Sequence, residues 1–310
     1  MSEECRRVYR HWDLTSKMIR NNKLMLVISL AVFALGVISD AGAQVPSSVK
    51  ADIRAAEPSA TRVCQNPDVN AQVRQALQLV CAQRDSSETL KSSQRLIVIG
   101  FLGGFAQDGD IKHPEVWFGA YLRERYSQAI EVSVLSNHQR QRAMNDVLRQ
   151  LDTDHDGVLS TPEKKQATII LYGHSWGASE ATAFARELGR LGIPVLLTIQ
   201  IDIVSKPGQT PILIPSNVEA VINFFQSEGF LHGRSKVVAE DPTRTAILGN
   251  LHMSYEDRHV DCRNYPWFAR TFNKPHHKIE NDARVWNQIA LVIDSRLSTS
   301  RNQTDQTATR

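Results

Sequence analysis

Residues 169–180 read IILYGHSWGASE. The first four are apolar and rich in β-branched side chains, the pattern of a strand buried on both faces of a parallel sheet. Gly173-His174-Ser175-Trp176-Gly177 follows, and a helix-like segment opens at Ala178. A serine set between strand and helix at a tight turn projects its hydroxyl from the sheet edge, and small flanking residues let the backbone double back without clashes. The same glycines also suit an ordinary turn, so the rest of the chain has to separate a nucleophile from a bend.

Working outward, Arg95-Leu96-Ile97-Val98-Ile99-Gly100 is another continuous apolar run, followed by the glycine-rich Gly100-Phe101-Leu102-Gly103-Gly104. A helix is expected over Glu115–Ser127, a strand over Ile130–Leu135 and a polar helix from His138 to Leu151. The elbow strand Thr168–Tyr172 leads to a helix from Ala178 to Leu191. Strands at Pro194–Val204 and Val218–Phe225 follow, then a last helix over Ala283–Leu297. This alternation predicts an α/β fold, a mainly parallel sheet with helices on both faces, over residues 95–297. The polar tail 298–310 has no apolar pattern and is expected to be disordered.

Leu24–Ile38 is apolar, preceded by Arg20 and Lys23 and followed by Ala41-Gly42-Ala43, the order of a secretory signal peptide. Cleavage after Ala43 predicts an exported protein, periplasmic or extracellular, with no stable membrane span in the mature chain. Residues 44–94 read as a small helical extension. In an oxidising compartment Cys64 and Cys81, which flank a helix-like segment, are the expected disulfide, and Cys262 is left over. The net charge of +3 is small, with basic residues scattered rather than massed, which argues against a nucleic-acid partner.

A serine nucleophile needs a base and a carboxylate to orient it. His276 and His277 lie in an expected loop after Lys274-Pro275, just before the last helix; His276 is preferred because Ile279 can anchor the loop while the imidazole faces Ser175, and His277 stays open. Asp202 ends a parallel strand, where a carboxylate lies on the ligand side of the sheet; Glu228, one strand on, is its rival. His174, beside the nucleophile but on the opposite side of the tight turn, is expected to be a packing and hydrogen-bonding residue rather than a base. The amide of Trp176 at the helix start, with that of Phe101 or Leu102, is the candidate oxyanion hole.

Ser175, Asp202 and His276 in that order, with Gly173-His174-Ser175-Trp176-Gly177 at a strand-to-helix turn, resemble the α/β-hydrolase superfamily in its lipase, esterase and thioesterase branch. The resemblance implies acyl transfer to water through an acyl-enzyme, on a small-molecule or lipid ester or a thioester. The sequence departs from the family in having no His-Gly-Gly-Gly oxyanion motif and in carrying its acid one strand earlier than is usual there. A non-catalytic calcium-binding protein on this fold, or an amidase or peptidase, are the competing readings. Phe224, Phe225, Trp267, Phe268 and Phe272 serve either an acyl pocket or the core.

A second motif is independent of the first. Asp152-Thr153-Asp154-His155-Asp156-Gly157-Val158-Leu159-Ser160-Thr161-Pro162-Glu163 matches the Asp-x-Asp-x-Asp-Gly-x(5)-Glu calcium loop at every defining position. Asp152, Asp154, Asp156, the Val158 carbonyl, Ser160 (through water) and Glu163 are the expected Ca2+ ligands. The loop resembles that of EF-hand proteins, but no second loop is visible, and Pro162 opens only a short turn before the next strand. A lone loop implies a structural staple rather than a sensor. A cation there is expected to brace the elbow strand, so that chelation lowers stability, with its effect on activity left open.

Overall fold

The computed structural model describes residues 95–126, 130–206, 213–272 and 274–308. The signal region, the 44–94 extension and the Cys64–Cys81 pair lie outside them. The apolar runs become the middle of a six-stranded sheet: β1 (Arg95–Leu102), β2 (Ile130–Ser136), β3 (Ala167–His174), β4 (Val195–Ile201), β6 (Val218–Phe225) and β8 (Ala246–His252), in the order β2-β1-β3-β4-β6-β8. Every neighbouring pair is parallel. Two short strands, β5 (Leu213–Ile214) and β7 (Val238–Ala239), pair separately.

Strand alternation sorts the side chains into two cores. Leu96, Val98, Ile170 and Tyr172 face α1 (Pro114–Arg125) and α7 (Ala283–Ala308), where Phe118, Trp286 and Ile289 complete one core. Ile97, Ile99, Phe101, Ile169 and Leu171 face α2 (Arg140–Leu151) and α4 (Trp176–Arg190), meeting Val147, Ala181 and Phe184. This is an α/β fold with helices on both faces of the sheet. Short α3 (Thr161–Lys165), α5 (Trp267–Phe272) and α6 (Lys274–Asn281) complete the helices among the described residues.

From β1 the chain crosses to β2 on one side and then returns to β3 on the other. The winding reverses between β1 and β3, and in open parallel sheets the crevice at the carboxyl ends of such a pair is where ligands bind. Ser175 follows β3 at that point.

Two expectations need correction. The segment carrying His276 is not a loop but the helix α6, because Pro275 falls in its first turn, where a missing N–H costs nothing. The last helix does not stop at Leu297: α7 runs on to Ala308, since extending an already nucleated helix adds one hydrogen bond per residue fixed.

Candidate active site

The corner after β3 is built on close backbone approach. A Cβ on Gly173 would lie 2.4 Å from the Gly177 carbonyl carbon, and one on Gly177 would lie 2.0 Å from the Phe101 oxygen. Only glycine lets α4 start so near the ends of β1 and β3. Ser175 takes up the bend at φ 57°, ψ −121°, a conformation that costs on the order of 1–3 kcal/mol in a non-glycine residue and persists only where its surroundings impose it. Here the Ser175 amide donates to the Ile201 carbonyl at 2.9 Å, and its own carbonyl accepts from Val204 N at 3.3 Å. The serine is thereby pinned across the end of β4, at the N-terminus of α4, with the Trp176 amide in the first turn.

Phe101 and Leu102 lie within β1, in register with Gly173 and Ser136, and their side chains are fully buried. The residue of this region that lies against Ser175 is Gly103, where a Cβ would come within 3.3 Å of the Ser175 Cβ. Asn137, at the end of β2, donates from Nδ2 to the Leu102 carbonyl at 2.9 Å and the Gly104 carbonyl at 2.6 Å. A trans peptide points its N–H opposite to its C=O, so this clamp turns the Gly103 and Phe105 amides away from Asn137. Phe105 meets Trp176 edge to face at 5.4 Å, an apolar wall beside the elbow.

Asp202 follows β4, as expected, and sits at φ 44°. Its Oδ2 is 2.6 Å from His276 Nδ1, both groups being buried. Oδ2 also accepts from Gln226 Nε2 at 2.8 Å, while Oδ1 accepts from the amides of Gly233 at 2.7 Å and Gln226 at 3.2 Å. Burial alone pushes this carboxyl up, but the His276 and Gln226 hydrogen bonds outweigh it and hold the group below its ordinary range. With Nδ1–H committed to Asp202, Nε2 is the free basic nitrogen of His276. Among the described residues no hydrogen bond joins Ser175 Oγ to His276; such links are often long until substrate binds.

The rivals are placed elsewhere. Glu228 accepts from Tyr255 N at 2.6 Å and Ser254 Oγ at 3.0 Å, away from the imidazole. The ring of His277 stacks on Tyr265 at 3.9 Å. His174 packs as expected, its ring on that of His276 with centroids 4.4 Å apart, but the corner turns after it, so it still belongs to β3. Phe224 is core, whereas Phe225 is half-buried and Trp267 is exposed; the side chains of Phe268 and Phe272 lie outside the described set. Cys262 is free and buried.

The acidic loop follows α2. Asp152, Asp154 and Glu163 bring one carboxylate oxygen each within 4.8 Å of one another. Asp152 Oδ2, Asp154 Oδ1 and Asp156 Oδ1 accept from the amides of Gly157, Asp156 and Val158 at 3.1, 3.2 and 2.7 Å, and Gly157 has φ 81°. Glu163 accepts from Thr153 N and from Ser160 N and Oγ, which holds it down at about 2. Asp152 Oδ1 is buried without a hydrogen-bond partner. A converging set of hard oxygens with one acceptor unspent could hold a metal ion.

No protein-family model matches the chain, and no curated protein does. Among the described residues no helix is long and apolar enough to cross a membrane.

Proposed function

We propose that the chain is an exported serine hydrolase of the α/β-hydrolase type that cleaves an ester or thioester through an acyl-enzyme. The observation that carries this reading is the convergence at one sheet edge of a strained, positive-φ Ser175 and a buried Asp202–His276 pair 2.6 Å apart. A turn serine has no need of either.

In this reading Ser175 Oγ attacks the carbonyl carbon as its proton passes to His276 Nε2. Asp202 keeps Nδ1 protonated and stabilises the imidazolium. The Trp176 amide and that of Gly103 receive the developing oxyanion. The imidazolium then protonates the leaving group, and water repeats the sequence to release the acid. Phe105 and Trp176 supply an apolar wall suited to an acyl chain. Asp152, Asp154, Asp156, the Val158 carbonyl and Glu163 would hold Ca2+, which supplies charge neutralisation to the loop and takes no part in the steps above.

Labelling of the mature, calcium-supplemented protein with a fluorophosphonate tests the reading. Covalent labelling of the wild type, absent in Ser175→Ala, is expected. A folded wild-type protein that does not label sinks it.

A further inference from the structure

Behind His276 lies a second buried cluster that the triad does not use. Glu280, on the next turn of α6, is fully buried. Its Oε1 is 2.7 Å from His113 Nδ1, its Oε2 accepts from the Tyr265 hydroxyl, and His174 Nδ1 approaches Oε2 at 3.3 Å. Glu115, on α1, is equally buried, and neither of its carboxyl oxygens meets a donor. One oxygen of each glutamate and a ring nitrogen of His113 lie within 4.8 Å of one another.

Two carboxyls this close in the interior cannot both ionise without a counter-charge for each. Among the described residues no lysine or arginine pairs with either; the partner that can carry positive charge is His113, held up at about 9, against its burial, by the Glu280 charge. Glu280 is hydrogen-bonded to His113 and Tyr265 and Glu115 has no donor, so the extra proton belongs on Glu115, whose O–H then finds its acceptor in Glu280. Burial and the Glu280 charge both push the Glu115 carboxyl well up. The remaining titratable groups facing Glu280 are His277 on α6, with Nδ1 3.9 Å from Oε2, and Cys262, whose thiol is pushed up to about 12 by burial and then by Glu280.

This single anion reaches the triad through His174. His174 Nδ1 faces Glu280 and its Nε2 has no partner, so a neutral ring protonated on Nδ1 would turn that proton toward the glutamate. Burial holds the ring neutral, down at about 3, despite the nearby carboxylates. A neutral flat ring packed on His276 fixes that imidazole's plane.

We propose that Glu280, kept as the anion of its pair by a protonated Glu115, is a positioning residue that acts through His174 to orient His276 and to stabilise it as it takes the serine proton. The proposal rests on the hydrolase reading above.

The test is the pH profile of fluorophosphonate labelling for the wild type, Glu280→Gln, Glu280→Asp and Glu115→Gln. Loss of the Glu280 charge is expected to move the acidic limb of the profile down by about one pH unit and lower the plateau about tenfold. Glu280→Asp, which keeps the charge, restores the limb. Glu115→Gln, whose amide donates as the acid does, keeps the limb where the wild type has it. A lowered plateau with an unmoved limb in Glu280→Gln means that the residue is merely structural and overturns the proposal while leaving the hydrolase reading intact. A wild type that does not label takes down both. Should Glu280→Gln fail to fold, imidazole 15N NMR of the wild type decides: a proton on His174 Nδ1 supports the proposal, and a bare Nδ1 overturns it. Stoichiometric bound metal in the native protein, lost in Glu115→Gln, overturns it as well, because the two carboxylates would then share a cation rather than a proton.

Discussion

Gly177→Ala puts a single methyl group into the closest approach in the site. The added Cβ would lie 2.0 Å from the Phe101 oxygen, 2.7 Å from the Phe101 carbonyl carbon and 2.9 Å from the Leu102 carbonyl carbon. All three are backbone atoms at the end of a central strand, so no rotamer change relieves the clash. Carbon atoms pack at about 3.5–4.0 Å, and α4 must therefore back away from β1 by roughly 1 Å. Overpacking of this kind costs about 1–3 kcal/mol; a middle value of about 2 kcal/mol lowers the melting temperature of a domain this size by about 4–8 °C. The same shift separates the Trp176 amide on α4 from the loop after β1. Misplacement of about 1 Å is expected to slow fluorophosphonate labelling about 100-fold. Labelling is to be timed well below the melting transition, with Gly192→Ala as control. That glycine has φ +74° and no neighbour within 4 Å of an added Cβ, so it should lose about 1–2 kcal/mol of stability and label normally. A Gly177→Ala protein that melts within 1 °C of the wild type and labels at its rate would refute the account of the elbow as a backbone contact between α4 and β1.

Asp202→Asn should slow labelling by on the order of 10⁴-fold, because the amide no longer fixes the proton on His276 Nδ1; a fall below about tenfold would show that His276 does not depend on Asp202. Burial depresses His113, but the Glu280 charge outweighs it and holds the imidazole up at about 9. Its contribution to stability is therefore complete below its unfolded value of about 6.5 and is lost as pH rises through about 9. Melting temperatures across that window should fall in the wild type and stay flatter in His113→Gln. Calcium at about 100 times its dissociation constant should stabilise the fold by about 2.7 kcal/mol, read as a rise in melting temperature on adding calcium to chelator-treated protein. Asp152→Asn should abolish that rise, and a wild-type melting temperature insensitive to calcium would remove the ion from the loop.

The legible parts of this molecule are those whose physics is local. The clustered carboxylates of the acidic loop lie within twelve consecutive residues, 152–163, and need no tertiary information to be seen. The central strands were legible because burial on both faces demands unbroken apolar runs. β8 was not: it pairs only with β6, at the sheet edge, and its sequence AILGNLH is half exposed and interrupted by Gly249 and Asn250. The proposed acid and base lie 74 residues apart, and sequence could rank Asp202 and His276 only by their order along an α/β chain. Gln226 and Gly233, which saturate Asp202, carry no spacing signal, since one contributes a backbone amide and the other an ordinary loop side chain. The Glu115–Glu280 pair draws on α1, β3, α6 and the loop before α5, a juxtaposition that no periodicity encodes.

The strand that joins the two motifs also separates them. Glu163 closes the acidic loop through the capping box of α3, and β3 begins at Ala167, beside Arg95 of β1, while Arg95 and Gln166 tie back to the Gln150 and Leu151 carbonyls at the end of α2. Ser175 follows the other end of β3. Its eight residues are all buried, and at about 3.3 Å per residue they hold the loop roughly 25 Å from the serine. A cation in the loop would therefore stiffen the entry to β3 without touching the geometry of the elbow, which is set by Gly173, Gly177 and the Ile201 carbonyl at the far end. The coupling between calcium and chemistry that their closeness in sequence suggests reduces to a coupling through stability. Below the melting transition, a chelated protein should label at nearly the rate of the calcium-loaded one, whereas Asn137, which touches the loop after β1 directly, is where a distant side chain reaches the chemistry.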